Sequence, residues 1–387
     1  MPMTGAAQPY RGVEQGPIRP PSEAASLLVR VTRNCPWNKC RFCPVYKGTR
    51  FSRRPVEYVL ADIDAVAQHL YAAMGRTAES EALAQERQRA FPDLPREDAL
   101  AAGIAWSWYQ VGMESVFLQD ANSLVIRPGD MVRILQHLRV RFPWVERITT
   151  YARSHTLATH LTDEDLAAMA AAGLNRIHVG FESGSDRVLA MVEKGATKAL
   201  HVEAGLRVKR SGIELSAYYM PGLGGEELWE ENARETAEVM NRVNPDYIRL
   251  RSLAVPDHVP LAEDLRAGTF RRPTDELMAR EILLFIESLE GITSFVRSDH
   301  ILNLFQDVEG HLPEDKEHLA SIPRAFLEMD PEGRMTYQVG RRWGIFTGVV
   351  DMGDPQRLAY AERLVRRLGA TPANIDEIVD EQVKRFI

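Results

Sequence analysis

Cys35, Cys40 and Cys43 are the only cysteines in the 387-residue chain, and all three lie in the segment Cys35-Pro-Trp-Asn-Lys-Cys40-Arg-Phe-Cys43. An odd number of thiols without a distant partner makes a poor disulfide framework. Isolated cysteines also serve as small buried hydrophobes, but the gathering of every cysteine into one nine-residue segment favours a metal or cluster. Three thiolates can hold three irons of a [4Fe-4S] cluster and leave the fourth iron open to an external ligand. Zinc is the competing metal. A structural zinc site takes four protein ligands, and the nearest histidine in sequence, His69, stands outside the segment on an expected helix. A non-catalytic iron–sulfur or zinc protein, acting as electron carrier or sensor, would use the same three residues.

These cysteines need a scaffold. Ser26–Thr32 is a short β-branched, apolar run that reads as a first strand, so the cysteines fall in the loop after it. Pro55 to about Tyr71 then has helical spacing of Val56, Val59, Ile63, Val66 and Leu70, with Pro55 at its start. Residues from about 75 to 110 read as a helical insertion. Beyond them, strand-like runs at Ser115–Gln119, Arg147–Tyr151, Arg176–Gly180, Ile213–Tyr219 and Tyr247–Leu253 alternate with helical ones. With the first strand this makes six β/α units, which predicts an α/β fold with a parallel sheet, open or rolled into a partial (β/α)6 TIM-type barrel. The expected organisation is an N-terminal tail over 1–25, the barrel over 26–255, and a mainly helical C-terminal extension over 256–387 in which the strands stop.

Strand parity adds candidates, because side chains two apart share a face. Tyr151 and Arg153 oppose Ile148 and Thr150, His178 and Glu182 oppose Ile177 and Val179, and Arg249 and Arg251 oppose Ile248 and Leu250. The apolar faces meet outer helices and the polar faces point inward. A polar interior implies either a ligand cavity or a buried ion-pair network.

The cysteine segment resembles that of the radical S-adenosylmethionine (radical SAM) superfamily, in which a loop after the first barrel strand carries three cysteines, the last two separated by two residues and often with an aromatic before the final one. Cys40-Arg-Phe42-Cys43 fits that pattern; four residues rather than the commoner three separate Cys35 from Cys40, giving a variant CX4CX2C motif. The resemblance runs over about Leu27 to Leu253. It implies that Asp120 and Asn122, after the second strand of the series, contact the methionyl part of the cofactor, although Asp120 also suits a turn cap. It further implies that Gly180-Phe-Glu182-Ser183-Gly-Ser-Asp186 contacts the adenosyl part, a stretch that is equally a good helix start. Phe42, Asp120, Asn122, Arg153, Glu182 and Ser183 are thus the expected cofactor-binding residues. Tyr151, Arg153, His178 and Arg249 are the catalytic candidates.

The chemistry implied is reductive cleavage of S-adenosylmethionine at a [4Fe-4S] cluster to a 5′-deoxyadenosyl radical, which abstracts hydrogen from substrate; the electron comes from an external one-electron reductant such as flavodoxin or ferredoxin. The net charge of −7 weighs against nucleic acid and favours a small-molecule substrate. The Arg-rich stretch Lys47–Arg54 would be the footprint of the rival, an RNA-modifying radical SAM enzyme. With no signal-peptide core and no apolar run long enough for a membrane span, the sequence reads as cytoplasmic, with no membrane partner.

Overall fold

The computed structural model describes residues 9–93 and 98–384. It is α/β with a mostly parallel sheet, as expected, and divides into two compact units. Of the described residues, the first comprises 9–36, 48–93, 98–178 and 210–213, and the second comprises 37–47, 179–209 and 214–384.

In the first unit, β1 (Leu27–Arg30) pairs in parallel with β4 (Ser115–Gln119), Leu28 opposite Phe117, and β4 pairs in parallel with β5 (Arg147–Ala152), Phe117 opposite Thr149. The intervening β2 (Thr32–Arg33) and β3 (Ser52–Arg53) form a separate antiparallel ladder that brackets the start of the cysteine segment. Two-residue strands leave no periodic trace, and the sequence does not announce them.

α1 (Val56–Ala73) starts after Pro55 and buries Val59, Ile63, Val66 and Leu70, the stripe its spacing predicts. The helical insertion is α2 (Thr77–Ala90) and α3 (Ala99–Gln110), both packed on α1. There follow α4 (Pro128–Arg141), α5 (Ser154–Thr159) and α6 (Asp163–Ala171), the last started by a reciprocal capping box between Thr162 and Asp165. β6 (Arg176–Glu182) belongs to this unit through His178.

The expected N-terminal tail is a correction. Of its residues, those from 9 to 25 are described, and they pack as part of the first unit. Tyr10 is buried with its hydroxyl 2.9 Å from Asp62, the Gly16 N–H donates to Gln119 at 2.8 Å, and Glu23 is fully buried. Proline, glycine and scattered charges gave no periodicity, yet the segment is held by polar contacts that do not depend on it.

In the second unit, α7 (Asp186–Met191) and α8 (Lys198–Arg210) precede β7 (Glu214–Tyr219), which pairs in parallel with β8 (Tyr247–Leu250) on the far side of α9 (Trp229–Val243) in sequence. The C-terminal part is helical, as expected, through α10 (Pro260–Ala267), α11 (Asp275–Glu287), α12 (Lys316–Glu328), α13 (Pro331–Arg342), α14 (Pro355–Leu368) and α15 (Ile375–Val383). The expectation that strands stop after Pro256 is overturned. β9 (Phe295–Arg297) adds to β8 in parallel, and β10 (Glu309–His311) pairs antiparallel with β9. Three residues each are too few to show alternation. The expectations touching residues 1–8, 94–97 and 385–387 lie outside the described residues. No described helix is long and apolar enough to cross a membrane.

Candidate active site

Apart from Phe42, every expected cofactor residue follows the carboxyl end of a strand or ends one, where ligands bind in parallel α/β sheets. In the first unit, Asp120 and Asn122 follow β4 and Arg153 follows β5. Asp120 is fully buried and accepts hydrogen bonds from Arg30 Nη2 at 2.9 Å, Arg30 Nε at 3.2 Å and the Asn34 N–H at 3.1 Å. Asn34 has a left-handed backbone (φ 66°), a conformation asparagine tolerates, and its side chain donates to the Arg50 carbonyl at 2.6 Å. Asp120 therefore braces the residue immediately before Cys35. Asn122 is buried too, donating to Thr156 at 2.8 Å and accepting the Arg153 N–H at 3.2 Å, so it ties the turn after β4 to the start of α5.

Tyr151 is half-buried, its ring edge-on to Phe117 at 5.1 Å and near His178 at 5.8 Å between centroids. His178 faces a different environment from the one parity implied for a catalytic residue. It is fully buried with Nε2 3.3 Å from Glu23, and Glu23 also takes Ser26 Oγ at 2.7 Å and Arg147 at 3.3 Å. Burial alone would raise the Glu23 carboxyl, but hydrogen bonds from His178 and Ser26 and the charges of His178 and Arg147 bring it down to about 2. Ser26, Ser115 and Arg147 all stand where β1, β4 and β5 begin, so this network closes the amino-terminal end of the sheet, away from the ends that carry chemistry. The catalytic expectation for His178 is corrected to a structural one.

In the second unit, Cys40 and Cys43 are half-buried against an apolar cluster that includes Phe42, Val192, Met220, Leu253 and Leu261. The loop that carries them is pinned on both sides. The Arg41 N–H donates to the Val192 carbonyl at 2.9 Å, the Leu261 N–H donates to the Arg41 carbonyl at 3.0 Å, and the Arg41 guanidinium reaches Asp264 at 2.7 Å and Glu193 at 3.3 Å. Trp37 Nε1 donates to the Glu193 carbonyl at 2.7 Å, and its indole lies over Gly195, where a Cβ would collide with the ring. Phe42 also meets Lys194, whose Nζ is 5.8 Å from the ring centroid and 3.1 Å from Glu182.

Glu182 ends β6 in a left-handed conformation (φ 66°), and Gly180 leaves the room that the Glu182–Lys194 pair occupies. Ser183 is buried and accepts the Ser185 N–H at 3.0 Å. Gly184 is required by packing, since a Cβ there would run into the backbone of α9 at Glu235 and Thr236. Ser185 caps α7 through the Val188 N–H at 3.2 Å. Arg249 is nearly fully buried, engaged by Asp299 at 2.5 Å and Ser216 at 3.1 Å. Its guanidinium is committed to that network, which corrects the reading of Arg249 as a group poised for substrate.

The structure thus gathers Asp120, Asn122 and the Arg153 backbone in one unit and Phe42, Cys40, Cys43, Glu182 and Ser183 in the other. Lys194 and Arg41 were missed by sequence reasoning; the only signals were an arginine inside the cysteine spacing and a Glu-Lys-Gly run after a short helix. The donor set fits a three-thiolate cluster: three half-buried cysteines, none in a disulfide, in one loop. Among the described residues no three His, Cys, Asp or Glu side chains are already gathered as a metal-binding group.

A family model described as the radical SAM superfamily matches residues 85–237, a span that begins after the cysteine segment. Among curated proteins, a tRNA uridine(34) acetyltransferase of Methanocaldococcus jannaschii is 20% identical over 74% of this chain and 52% of its own length. A tRNA-2-methylthio-N(6)-dimethylallyladenosine synthase of Syntrophus aciditrophicus is 25% identical over 57% of this chain and 40% of its own. The chain spans about half the length of the first and two fifths of the second. Among solved structures, a radical S-adenosylmethionine methyltransferase from Kitasatospora setae is similar at 14% identity and a TM-score of 0.45, over 88% of this chain and 61% of that one. Residues 85–237 thus match the radical SAM superfamily of enzymes, whose members bind a [4Fe-4S] cluster and S-adenosylmethionine.

Proposed function

We propose that Cys35, Cys40 and Cys43 hold the cluster and that the chain cleaves S-adenosylmethionine reductively for hydrogen abstraction, taking its electron from a one-electron carrier of the flavodoxin or ferredoxin kind. The observation that carries this reading is the placing of every cysteine in one strand-following loop, two of them seated on an apolar bed and locked by Arg41. When bound, the cluster and S-adenosylmethionine supply the 5′-deoxyadenosyl radical.

The chain's own residues do the rest. Asp120 fixes the backbone leading into Cys35. Phe42 and Arg41 seat Cys40 and Cys43. Glu182 and Ser183, at the end of β6, present polar atoms toward the adenosyl part, and Asn122 orders the turn after β4 on the methionyl side. Tyr151 and Arg153, half-buried at the carboxyl end of β5, are the groups proposed to meet substrate, while Arg249 acts through Asp299 as a positioning residue. The polar strand faces are proposed to line a partial barrel in a cytoplasmic enzyme.

The test is an anaerobic assay with dithionite and S-adenosylmethionine. Release of 5′-deoxyadenosine by the wild type and not by Cys43→Ala supports the proposal. A wild type with a full cluster that yields none in the presence of candidate substrates counts against it and returns the electron-carrier reading.

Two substrate classes stand. A small molecule is favoured by the net charge of −7. A tRNA is favoured by the printed activities of the two curated relatives. Salt-dependent tRNA binding that weakens in an Arg50→Gln, Arg53→Gln variant would decide for the second.

A further inference from the structure

Arg251, which strand parity singles out, has no part in the chemistry proposed above, and neither does the loop that follows β9. In the second unit β8 and β9 pair in parallel, so the turn after Leu250 and the loop after Arg297 leave the sheet at the same edge, the carboxyl ends where ligands bind. The Arg251 N–H donates to the Tyr219 carbonyl at 3.0 Å, which holds Arg251 against the end of β7 as well. Asn303, fully buried, joins turn and loop: its Nδ2 donates to the Leu250 carbonyl at 2.8 Å and to Ser298 Oγ at 2.9 Å, and its Oδ1 accepts the Ser252 N–H at 2.8 Å. α13 holds the loop as well, through Arg341 to the Ile301 carbonyl at 2.8 Å, Arg342 to the Leu302 carbonyl at 2.6 Å and Tyr337 to the Leu304 carbonyl at 2.9 Å. Side chains thus take the backbone groups that a surface loop would leave to water.

The charge at this edge is unbalanced. Asp299 is engaged by Arg249 at 2.5 Å and lies 3.5 Å from Arg297. Arg251 is exposed, and among the described residues its guanidinium makes no hydrogen bond or ion pair. Arg341 is buried and likewise in no ion pair among the described residues. Burial, then the charges of Arg251 and Arg341, lower the His300 imidazole to about 4, so the ring is neutral at pH 7. Its Nδ1 accepts the Leu302 N–H at 3.3 Å, which puts the ring proton on Nε2. That half-buried ring keeps Nε2 within reach of solvent, with no partner for it among the described residues.

A free guanidinium and a free imidazole N–H in a positive field make an anion site. A single guanidinium fork matches one carboxylate, and the charge of Asp299 beside His300 disfavours a dianion relative to a monoanion. Ile301, 55% exposed on the same loop, offers apolar contact that an inorganic anion would leave unused. We infer that Arg251 and the His300 Nε2–H bind the carboxylate of a small organic ligand at the carboxyl ends of β8 and β9, with Ile301 against its hydrocarbon part. This deepens the small-molecule reading above and rests on it only in calling the ligand a substrate.

Isovalerate is the probe, titrated into the full chain at pH 7 while the His300 ring signal, assigned by its loss in His300→Asn, is followed by nuclear magnetic resonance. Saturable movement of that signal is expected, with the neutral isostere isovaleramide leaving it in place. Arg251→Gln, at an exposed position, should weaken isovalerate about tenfold, and Arg251→Lys by less. A signal that isovalerate does not move, or that moves equally with isovaleramide or in Arg251→Gln, overturns the inference; tighter binding of inorganic phosphate overturns the carboxylate assignment. The titration contains no S-adenosylmethionine, so its failure leaves the radical chemistry standing, and a failure to release 5′-deoxyadenosine leaves this site standing.

Discussion

Glu23 shows how a single residue that reads as part of a tail can anchor a sheet. With both side chains of the Glu23–His178 pair fully buried, removing the charge strands His178 and Arg147. Glu23→Gln is expected to lose about 1–3 kcal/mol at neutral pH in urea unfolding. Because the folded carboxyl lies near 2, below its ordinary value of 4.5, the folded state binds fewer protons than the unfolded one between those values. The contribution is thus complete above pH 4.5 and fades as pH falls toward 2, and the variant should lack that acid-limb loss.

Glu281 has the opposite sign. It is fully buried on α11 with no cation beside it among the described residues, accepting from Tyr219 at 2.7 Å, Asn232 at 2.7 Å and the Gly222 N–H at 2.9 Å. Burial raises it to about 7 against those hydrogen bonds. The folded state therefore holds the extra proton between pH 4.5 and 7, and stability should fall as pH rises through that window and level off above it. A flat or rising profile in wild type, unaltered by Glu281→Gln, would show that the carboxyl stays ionised.

At the scale of elements, the part of the cysteine loop around Arg41 is held by its neighbours. Arg41→Ala removes the tie to Asp264 and Glu193 while keeping every thiol. The expected outcome is normal folding with faster loss of bound iron to a chelator. Gly184→Ala forces a Cβ into the backbone of α9 and should cost about 1–3 kcal/mol through the shift it imposes on Ser183 and Ser185, read as a lowered urea midpoint.

What the sequence made legible at this scale follows from what periodicity can encode. α1, α4, the helical insertion and the strands from Ser115 to Leu250 carried full apolar patterns and were read correctly in kind. β2, β3, β9 and β10 are two or three residues long and depend on partners far along the chain, so no local pattern marks them. Parity located polar strand faces, but could not distinguish a residue near a strand's amino end, such as His178, from one beyond its carboxyl end, such as Arg153. The first belongs to packing and the second to the end where sites form. Lys194 and Arg41 were hidden because their importance lies in which residues they touch, Glu182 and Phe42 for one and Asp264 for the other.

For the whole molecule, the account rests on the match of residues 85–237 to the radical SAM superfamily and on the chemistry of a loop outside that span. The direct test of the link is the cluster itself. After anaerobic reconstitution with iron and sulfide, iron content and the electron paramagnetic resonance of the dithionite-reduced protein should be measured for wild type and for Cys35→Ala, Cys40→Ala and Cys43→Ala. The account predicts about four irons per wild-type chain with a reduced-cluster signal that S-adenosylmethionine perturbs, and loss of that signal in all three variants. A variant that keeps the full wild-type signal would show that its cysteine is not a ligand, and a wild type that takes up no cluster would contradict the account at its centre.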